Sequence, residues 1–354
     1  MMRRAILCAA AIALVVVGCT QDKPTSVSPG APEAVTITLL THDSFDVTRA
    51  VLREFEDRTG ITVDVVAAGD AGQLANRLIL ASGNPEGDVA FGVDNDQLAD
   101  LFANDVFMPY ASTFRADLAP DLVLDDQHRV TPVDHGEVCV NIDMRRYVGG
   151  TTLPSSLDDL ADPSFRDGLV VENPATSTPG LAFLLATVAA YGDPGFEDYW
   201  RRLRDNGVTV VDGWEQAYFG EFSGAAGGEG THPMVVSYAT SPVAEVVYSD
   251  PPITVSPTRV LTDTCYRQIE FAGILRGTEH EAAAQQLVDF LLSQSFQEDI
   301  PLRMFVYPAS THARLPVVFR HNAAVVTDPY ELPSADVAAH RADWVARWSD
   351  VMGQ

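Results

Sequence analysis

The sequence predicts an α/β fold built of two lobes, and three observations support this prediction. The chain has 354 residues, which is more than one hydrophobic core usually serves, so two domains are the natural expectation. Short apolar segments alternate with segments of helical pattern, as in parallel sheets whose strands are connected by helices. Polar loops follow several of the predicted strands, at the edge of a parallel sheet where ligands usually bind.

The first hundred residues repeat the order strand, loop and helix. Strands are predicted at residues 35–40, 61–66 and 88–92, and helices at residues 47–59, at residues 73–81 and after Asp96. β-branched and apolar residues fill the strands, whereas the first helix places Val51, Leu52 and Phe55 on one face. Together these segments indicate one parallel α/β unit.

A second α/β lobe is predicted between residues 157 and 247. An extended segment at residues 130–140 precedes it, its strands are expected at residues 169–171, 208–211 and 234–238, and further helices at residues 196–204 and 215–222. A strand from Ile269 and helices at residues 279–292 and 334–351 follow. The last helix carries Val337, Trp344, Trp348 and Val351 at helical spacing, so these side chains are expected in a core rather than at a ligand.

The segment ENPATSTPGLAFLL at residues 172–185 predicts a strand end, a turn and a helix that starts at Pro179. Proline suits the first helical position, and Thr178 before it can act as the N-cap. A helix N-terminus offers free N–H groups and the positive end of a dipole, and the hydroxyls of Thr176, Ser177 and Thr178 stand beside it. We therefore expect a binding site for a phosphate, sulfate or carboxylate. The alternative is an ordinary capped helix without a ligand.

The charge balance and the missing motifs exclude several functions. There are 49 acidic and 23 basic residues, and the formal net charge is −26. Nucleic acids and anionic membrane surfaces need basic patches, so neither is expected as a partner, and cationic ligands are mildly favoured. The sequence contains no GxSxG, HExxH, Walker, GxGxxG or CxxC motif. We therefore expect neither an enzyme nor a metal site or cofactor.

The N-terminus predicts export and lipid anchoring. Arg3 and Arg4 precede an apolar stretch at residues 5–17 that is too short to span a bilayer. The following sequence, VVGC, resembles a bacterial lipobox whose cysteine, Cys19, becomes lipidated; a plain signal peptide is the alternative. Residues 1–18 are thus expected to be a lipoprotein signal peptide, and residues 19–34, rich in Ser, Pro and Gly, a flexible tether.

Six motifs in a fixed order resemble the thiamine-binding substrate-binding proteins of ABC transporters. They are DSF (43–45), GVDND (92–96), NPATSTPGL (173–181), GWEQAY (213–218), SYATSP (237–242) and VYPAS (306–310). The resemblance extends from Thr36 to Trp348 and implies a type II periplasmic-binding-protein fold, in which two α/β lobes joined by a two-strand hinge close on a ligand. It implies a first lobe at residues 35–134, a hinge strand and second lobe at 135–262, and a return hinge with completion of the first lobe at 263–354.

The resemblance also implies a binding site for thiamine or its phosphates. Trp214 and Tyr238 match aromatic residues around the ligand, where a cationic thiazolium ring can stack. The hydroxyls of residues 176–178 match a phosphate seat, and Asp70 matches an acidic loop position. The sequence departs from the family at His42 and Ala244, where tyrosines are usual. The expected ligand-binding residues are His42, Asp43, Ser44, Asp70, Asp94, Thr176, Ser177, Thr178, Trp214, Tyr218, Tyr238 and Ser241.

Two of these residues have structural alternatives, since Trp214 could belong to the second-lobe core and Asp94 could cap a helix. Besides the lipid-bearing Cys19, the cysteines outside the leader are Cys139 and Cys265, and outside the cytoplasm they suggest a disulfide that joins the two hinge strands. Two separate buried thiols are the alternative. The expected protein is a monomeric binder that serves a permease and its ATPase subunit. Another small organic or anionic solute, or an enzyme or adhesive lipoprotein on the same fold, are the other possibilities.

Overall fold

A computed structural model describes residues 35–149 and 152–354. Its strands are β1 (Val35–Thr41), β2 (Ile61–Ala67), β3 (Val89–Asp94), β4 (Phe107–Met108), β5 (Thr131–Asp143), β6 (Leu169–Glu172), β7 (Thr209–Val211), β8 (Met234–Tyr238), β9 (Thr258–Leu275) and β10 (Tyr307–Pro308). Its helices are α1 (Arg49–Thr59), α2 (Ala71–Leu80), α3 (Leu98–Ala103), α4 (Leu157–Leu160), α5 (Thr178–Tyr191), α6 (Gly195–Asp205), α7 (Pro242–Val247), α8 (Glu281–Leu291), α9 (Gln294–Arg303), α10 (Val317–Asn322) and α11 (Ser334–Met352).

The predicted signal peptide, the lipidated Cys19 and the tether lie outside the described residues. Among the helices described, none combines the length and the apolar character that crossing a bilayer requires.

The strands form one sheet whose two ends are parallel and whose centre is antiparallel. The strand order is β2-β1-β3-β9-β5-β8-β6-β7, while β10 pairs with β5 and β4 pairs with β9. β1 pairs in parallel with β2 and β3, and β6 pairs in parallel with β7 and β8. The strands β5 and β9 run antiparallel to each other and to their outer neighbours β8 and β3. The sheet therefore consists of two parallel α/β units joined by a central pair of strands.

The long strands β5 and β9 serve as the hinge because each belongs to both units. β3 pairs with the later part of β9, from Glu270 to Ile274, whereas β8 pairs with the later part of β5, from Val138 to Ile142. We call the unit with β1–β3, α1–α3, α8 and α9 the first lobe, and the unit with β6–β8 and α4–α6 the second lobe. This arrangement confirms the predicted fold class, two α/β lobes joined by a two-strand hinge.

A disulfide joins the hinge strands at an irregularity in their pairing. Val138 lies opposite Tyr266, but Val140 lies opposite Leu261, so β9 bulges by several residues at this point. Cys139 and Cys265 are bonded within this bulge, and their Cα atoms are 4.2 Å apart. Both cysteines are fully buried. The structure thus contains the predicted bond, and not the alternative pair of separate thiols.

The hydrophobic cores follow the lobes, with one exception to the predicted boundaries. Two clusters pack on the two faces of the first-lobe sheet, and another fills the second lobe around α5 and α6. Trp344, Trp348 and Val351 of α11 are buried, as predicted, but in the second-lobe cluster, where Trp348 packs edge-on against Trp200 at 5.6 Å. The sequence analysis placed α11 with residues 263–354, which it assigned to the first lobe; in the structure the tryptophans of α11 are buried against α6.

Three element boundaries differ from the predictions. β9 begins at Thr258, eleven residues before Ile269, because its polar first part is paired with β5. α5 begins at Thr178 with Ser177 as its N-cap, so Pro179 takes the second position, where a missing N–H is still tolerated. The helix predicted at residues 215–222 is a π-helical segment, Gln216–Glu221, a form frequent at functional sites.

Candidate functional site

A cleft of about 190 Å³ lies between the two lobes. Its first-lobe side comes from the loops after β1 and β2, from β9, and from the end of α9 with the segment that follows it. The residues are His42, Asp43, Ser44, Asp46, Asp70, Ala71, Glu270, Arg303, Met304, Phe305 and Val306. Its second-lobe side comes from the start of α5, the segment after β7, the end of β8 and α7; the residues are Thr178, Pro179, Trp214, Glu215, Tyr218, Phe219, Tyr238, Ser241, Ala244 and Tyr248.

Aromatic rings form the second-lobe wall of the cleft. Trp214 stacks on Tyr218 with ring centroids 5.0 Å apart, and it meets Tyr238 edge-on at 6.4 Å. The indole N–H of Trp214 donates to the Ser237 hydroxyl at 2.9 Å, and that hydroxyl lies 2.7 Å from the hydroxyl of Ser241. These bonds fix the ring orientation, so the wall offers an ordered aromatic face on which a flat or cationic group can stack.

Carboxylates dominate the electrostatics of the cleft. Of its lining residues, Asp43, Asp46, Asp70, Glu215 and Glu270 are acidic, whereas the basic residue Arg303 is paired with Asp46. The site therefore carries an excess of negative charge. Such a site attracts cations and repels anions.

His42 and Glu270 form a buried pair at the first-lobe side of this cleft. His42 Nε2 lies 3.5 Å from Glu270 Oε2, and only 9% of His42 is exposed. Burial by itself lowers the pKa of this imidazole, but the carboxylates of Glu270, Asp70 and Asp43 together raise it above its usual value. The protonation of His42 therefore depends on the carboxylates that line the cleft.

A group of buried carboxyls lies behind Glu270, on the hinge strands and at the end of β3. Burial, followed by the nearby Glu270, raises the pKa of Asp94 to about 7. The same causes raise the pKa of Asp134 on β5 well above its usual range. Burial, followed by Asp94, raises the pKa of Asp96 in the same way. Among the described residues, no three histidine, cysteine or acidic side chains are arranged to hold a metal ion.

The N-terminus of α5 is occupied by the protein itself. Asp70 of the first lobe accepts a hydrogen bond from the Thr178 N–H at 3.3 Å and another from the Trp214 N–H at 2.9 Å. Pro179 has no N–H, and the N–H groups of Thr176 and Ser177 both donate to the Asn173 carbonyl. The structure thus differs from the sequence prediction of an open anion seat, because a carboxylate of the chain already fills it.

The structure brings most of the predicted site residues together. The cleft is lined by His42, Asp43, Ser44, Asp70, Thr178, Trp214, Tyr218, Tyr238 and Ser241. The other three lie elsewhere: the Thr176 hydroxyl donates to the Asp212 carbonyl at 2.7 Å, Ser177 is buried, and Asp94 accepts from the Asp96 N–H at 3.1 Å. Asp94 thus stabilises a turn before α3, a role similar to the helix cap that was its alternative in the sequence analysis. Trp214 both lines the cleft and packs on a second-lobe cluster.

Sequence reasoning missed several residues that line the cleft, among them Glu270, Arg303 and Phe305. A signal for the first was present, since Glu270 is a lone charge in the apolar stretch IEFAGIL of β9. Arg303 is the last residue of α9, and Phe305 follows this helix. The sequence analysis did not predict α9, and no local pattern connects the two residues with a site.

The fold and the site together define a two-lobed protein that takes a small solute into the cleft between its lobes. The family model described as bacterial extracellular solute-binding protein matches residues 87–326, and the chain belongs to this family.

Curated relatives and solved structures extend this result over most of the chain. The thiamine-binding periplasmic protein of Brucella suis biovar 1 (strain 1330) is 29% identical over 332 residues, which is 91% of this chain and 93% of the relative. The thiamine-binding periplasmic protein of Escherichia coli (strain K12) is 28% identical over 316 residues, which is 88% of this chain and 92% of the relative.

The solved structures agree. A periplasmic thiamin binding protein superposes with a TM-score of 0.79 at 26% identity and covers 92% of this chain and 98% of its own. Iron-bound HitA from Pseudomonas aeruginosa superposes with a TM-score of 0.73 at 21% identity and covers 90% of this chain and 99% of its own. This likeness shows the fold alone.

Proposed function

We propose that the chain is the extracytoplasmic solute-binding subunit of an ABC importer and that its ligand is thiamine or a thiamine phosphate. The observation that carries this proposal is the cleft, which combines an ordered aromatic wall with an excess of carboxylates. Thiamine is an organic cation with two aromatic rings, and it matches both properties. The relatives named as thiamine-binding proteins, which align over about nine tenths of the chain, support the same ligand.

The binding mechanism follows from the two sides of the cleft. The thiazolium ring stacks on the wall formed by Trp214 and Tyr238, a contact worth about 0.5–2 kcal/mol depending on desolvation. Glu270 and Asp43 on the opposite side offset the positive charge. Closure of the lobes about β5 and β9 then removes the ligand from water. The chain catalyses no reaction in this scheme.

The proposal places the protein outside the cytoplasm, attached to a membrane by a lipid on Cys19. It acts as a monomer that delivers the ligand to a membrane permease with an ATPase subunit. His42 and Ala244, where the resembling family usually has tyrosines, favour a second candidate, in which the ligand is another small organic cation.

Thiamine is expected to bind with one-to-one stoichiometry and to raise the melting temperature by several degrees. A ligand at about 100 times its dissociation constant adds about 2.7 kcal/mol of stability. Isothermal titration calorimetry and a thermal-shift series measure both effects. Glu270→Gln should weaken binding, because it removes a buried charge at the cleft, whereas Glu54→Gln on the exposed side of α1 should not. A wild-type protein that takes up no thiamine would refute the ligand assignment.

A phosphate group on thiamine is expected to add no affinity. The backbone N–H groups of Thr178 and Trp214, which could have bound it, already donate to Asp70, and the carboxylates of the cleft repel an anion. Calorimetry with thiamine and thiamine monophosphate in one buffer compares the two dissociation constants. A phosphate ester bound at least about tenfold more tightly, which is about 1.4 kcal/mol, would contradict this expectation.

A further inference from the structure

Two side-chain hydrogen bonds of Asp70 cross the cleft. It stands at the start of α2 in the first lobe, and only 7% of it is exposed. Its two carboxylate oxygens each accept a backbone N–H of the second lobe, Oδ1 from Thr178 and Oδ2 from Trp214. These two donors begin the helix α5 and the aromatic wall. One side chain of the first lobe therefore holds two of the second-lobe segments that line the cleft.

The backbone around Asp70 is fitted to this contact. The Gln73 N–H at the start of α2 donates to the Thr176 carbonyl at 3.1 Å, so the two lobes also meet through their main chains. A Cβ atom on Gly72 would lie 2.5 Å from that carbonyl oxygen, which is closer than such atoms can approach. Only glycine at position 72 permits the observed distance between α2 and the segment before α5.

The contact between Asp70 and the second lobe should depend on the negative charge of the Asp70 carboxylate. The N-terminus of α5 carries the positive end of the helix dipole, and an anionic oxygen there is favoured over a neutral one. Hydrogen bonds from N–H groups to a carboxylate are stronger than those to neutral acceptors. In an open cleft, water would solvate both partners instead. The carboxylate of Asp70 thus favours the arrangement in which the lobes are together.

We infer that Asp70 is a positioning residue for ligand binding, which fixes Thr178 and Trp214 across the cleft and so sets the aromatic wall against the first lobe. The effect on ligand binding rests on the proposed solute-binding function, whereas the contact of Asp70 with the second lobe can be measured without a ligand. Asp70 acts on the ligand through the segments that it holds. Its removal should therefore shorten the residence of the ligand rather than slow its arrival.

The first test measures the contact in the ligand-free protein. In Asp70→Asn, amide hydrogen exchange followed by NMR should become at least about tenfold faster at Thr178 and Trp214, because a bond to a charged acceptor is lost. The Ser177 amide is the internal reference, since it donates to Asn173 within its own lobe. Unchanged exchange at both positions would overturn the inference, whatever the ligand proves to be.

The second test separates positioning from charge. Stopped-flow fluorescence with thiamine should show that Asp70→Asn raises the dissociation rate about tenfold and leaves the association rate nearly unchanged. Glu215→Gln removes one charge from the same cleft without a hydrogen bond to the other lobe, and it should act mainly on association. Equal effects of both variants on association alone would mean that Asp70 contributes only charge, and the inference would fail.

A third variant leaves the carboxylate in place and moves the backbone. Gly72→Ala should also speed exchange at Thr178 and Trp214, because the added methyl group separates α2 from the segment before α5. Gly220→Ala is the matched control, since its nearest neighbour would be 3.8 Å away. If the wild type binds no thiamine, the proposed function fails, whereas these exchange measurements still decide the role of Asp70.

Discussion

Replacing Cys139 and Cys265 together by alanine is expected to lower the free energy of unfolding by about 4–5 kcal/mol. The bond connects residues 126 positions apart, and a crosslink that closes so long a loop removes much conformational freedom from the unfolded chain. Urea unfolding of the exported, oxidised protein measures the difference.

The single variants supply the control for this experiment. Either substitution alone breaks the bond, so Cys139→Ala and Cys265→Ala should each cost about as much as the double variant, and their effects should not add. A loss below about 1 kcal/mol in the double variant would contradict the expected crosslinking effect. Additive single effects would instead point to packing of the two side chains.

The ligand-free protein is expected to become more stable as the pH is lowered from 8 to 6.5. Asp94, Asp96 and Asp134 have pKa values raised by burial and by one another or Glu270, and that of Asp94 is about 7. Each folded-state proton that the unfolded chain does not bind contributes about 1.4 kcal/mol per pH unit. Thermal unfolding in buffers across this range measures the trend.

The sign follows from proton binding. A carboxyl with a raised pKa binds a proton more tightly in the folded chain, so stability falls as the pH rises through that pKa. His42, whose pKa is also raised, acts in the same direction, because its stabilising charge is lost on deprotonation. Below pH 6.5 His135 opposes the trend, since burial and Arg267 lower its pKa to about 4 and the folded state resists its protonation.

Asp94→Asn should flatten this pH dependence, because the variant has no proton to lose at that site. Glu54→Gln, on the exposed surface, should leave it unchanged. Stability that increases from pH 6.5 to 8 would show that the buried carboxyls are ionised without cost, contrary to the expectation. A cationic ligand favours their ionised forms, so thiamine binding should strengthen over the same rise in pH.

Local sequence pattern was sufficient for the first five elements of the first lobe. The strands β1, β2 and β3 are short β-branched or apolar segments, and the helices α1 and α2 have an apolar face, so each is predicted to within a few residues. The beginning of β9 could not be found in this way. Its residues 258–263 alternate with polar groups and gain their order from pairing with β5, which is more than a hundred residues away in the sequence.

In the site, too, features set by neighbouring residues were predictable, whereas contacts between residues far apart in the sequence were not. The aromatic wall was predictable, because Trp214 and Tyr238 directly follow or end strands. The state of the α5 N-terminus was not, because the residue that occupies it, Asp70, is 108 positions away. A helix start in sequence reveals its unpaired donors but not the side chain that satisfies them, so an occupied terminus and an open seat have the same local pattern.

The placement of α11 has a consequence for biosynthesis. Its tryptophans close a core whose other walls, α5 and α6, end at Asp205. During synthesis from the N- to the C-terminus, the apolar surface around Trp200 stays uncovered until residues 344–351 have been made. The second lobe is therefore expected to complete its core only once α11 is available, and until then the exposed apolar surface favours aggregation.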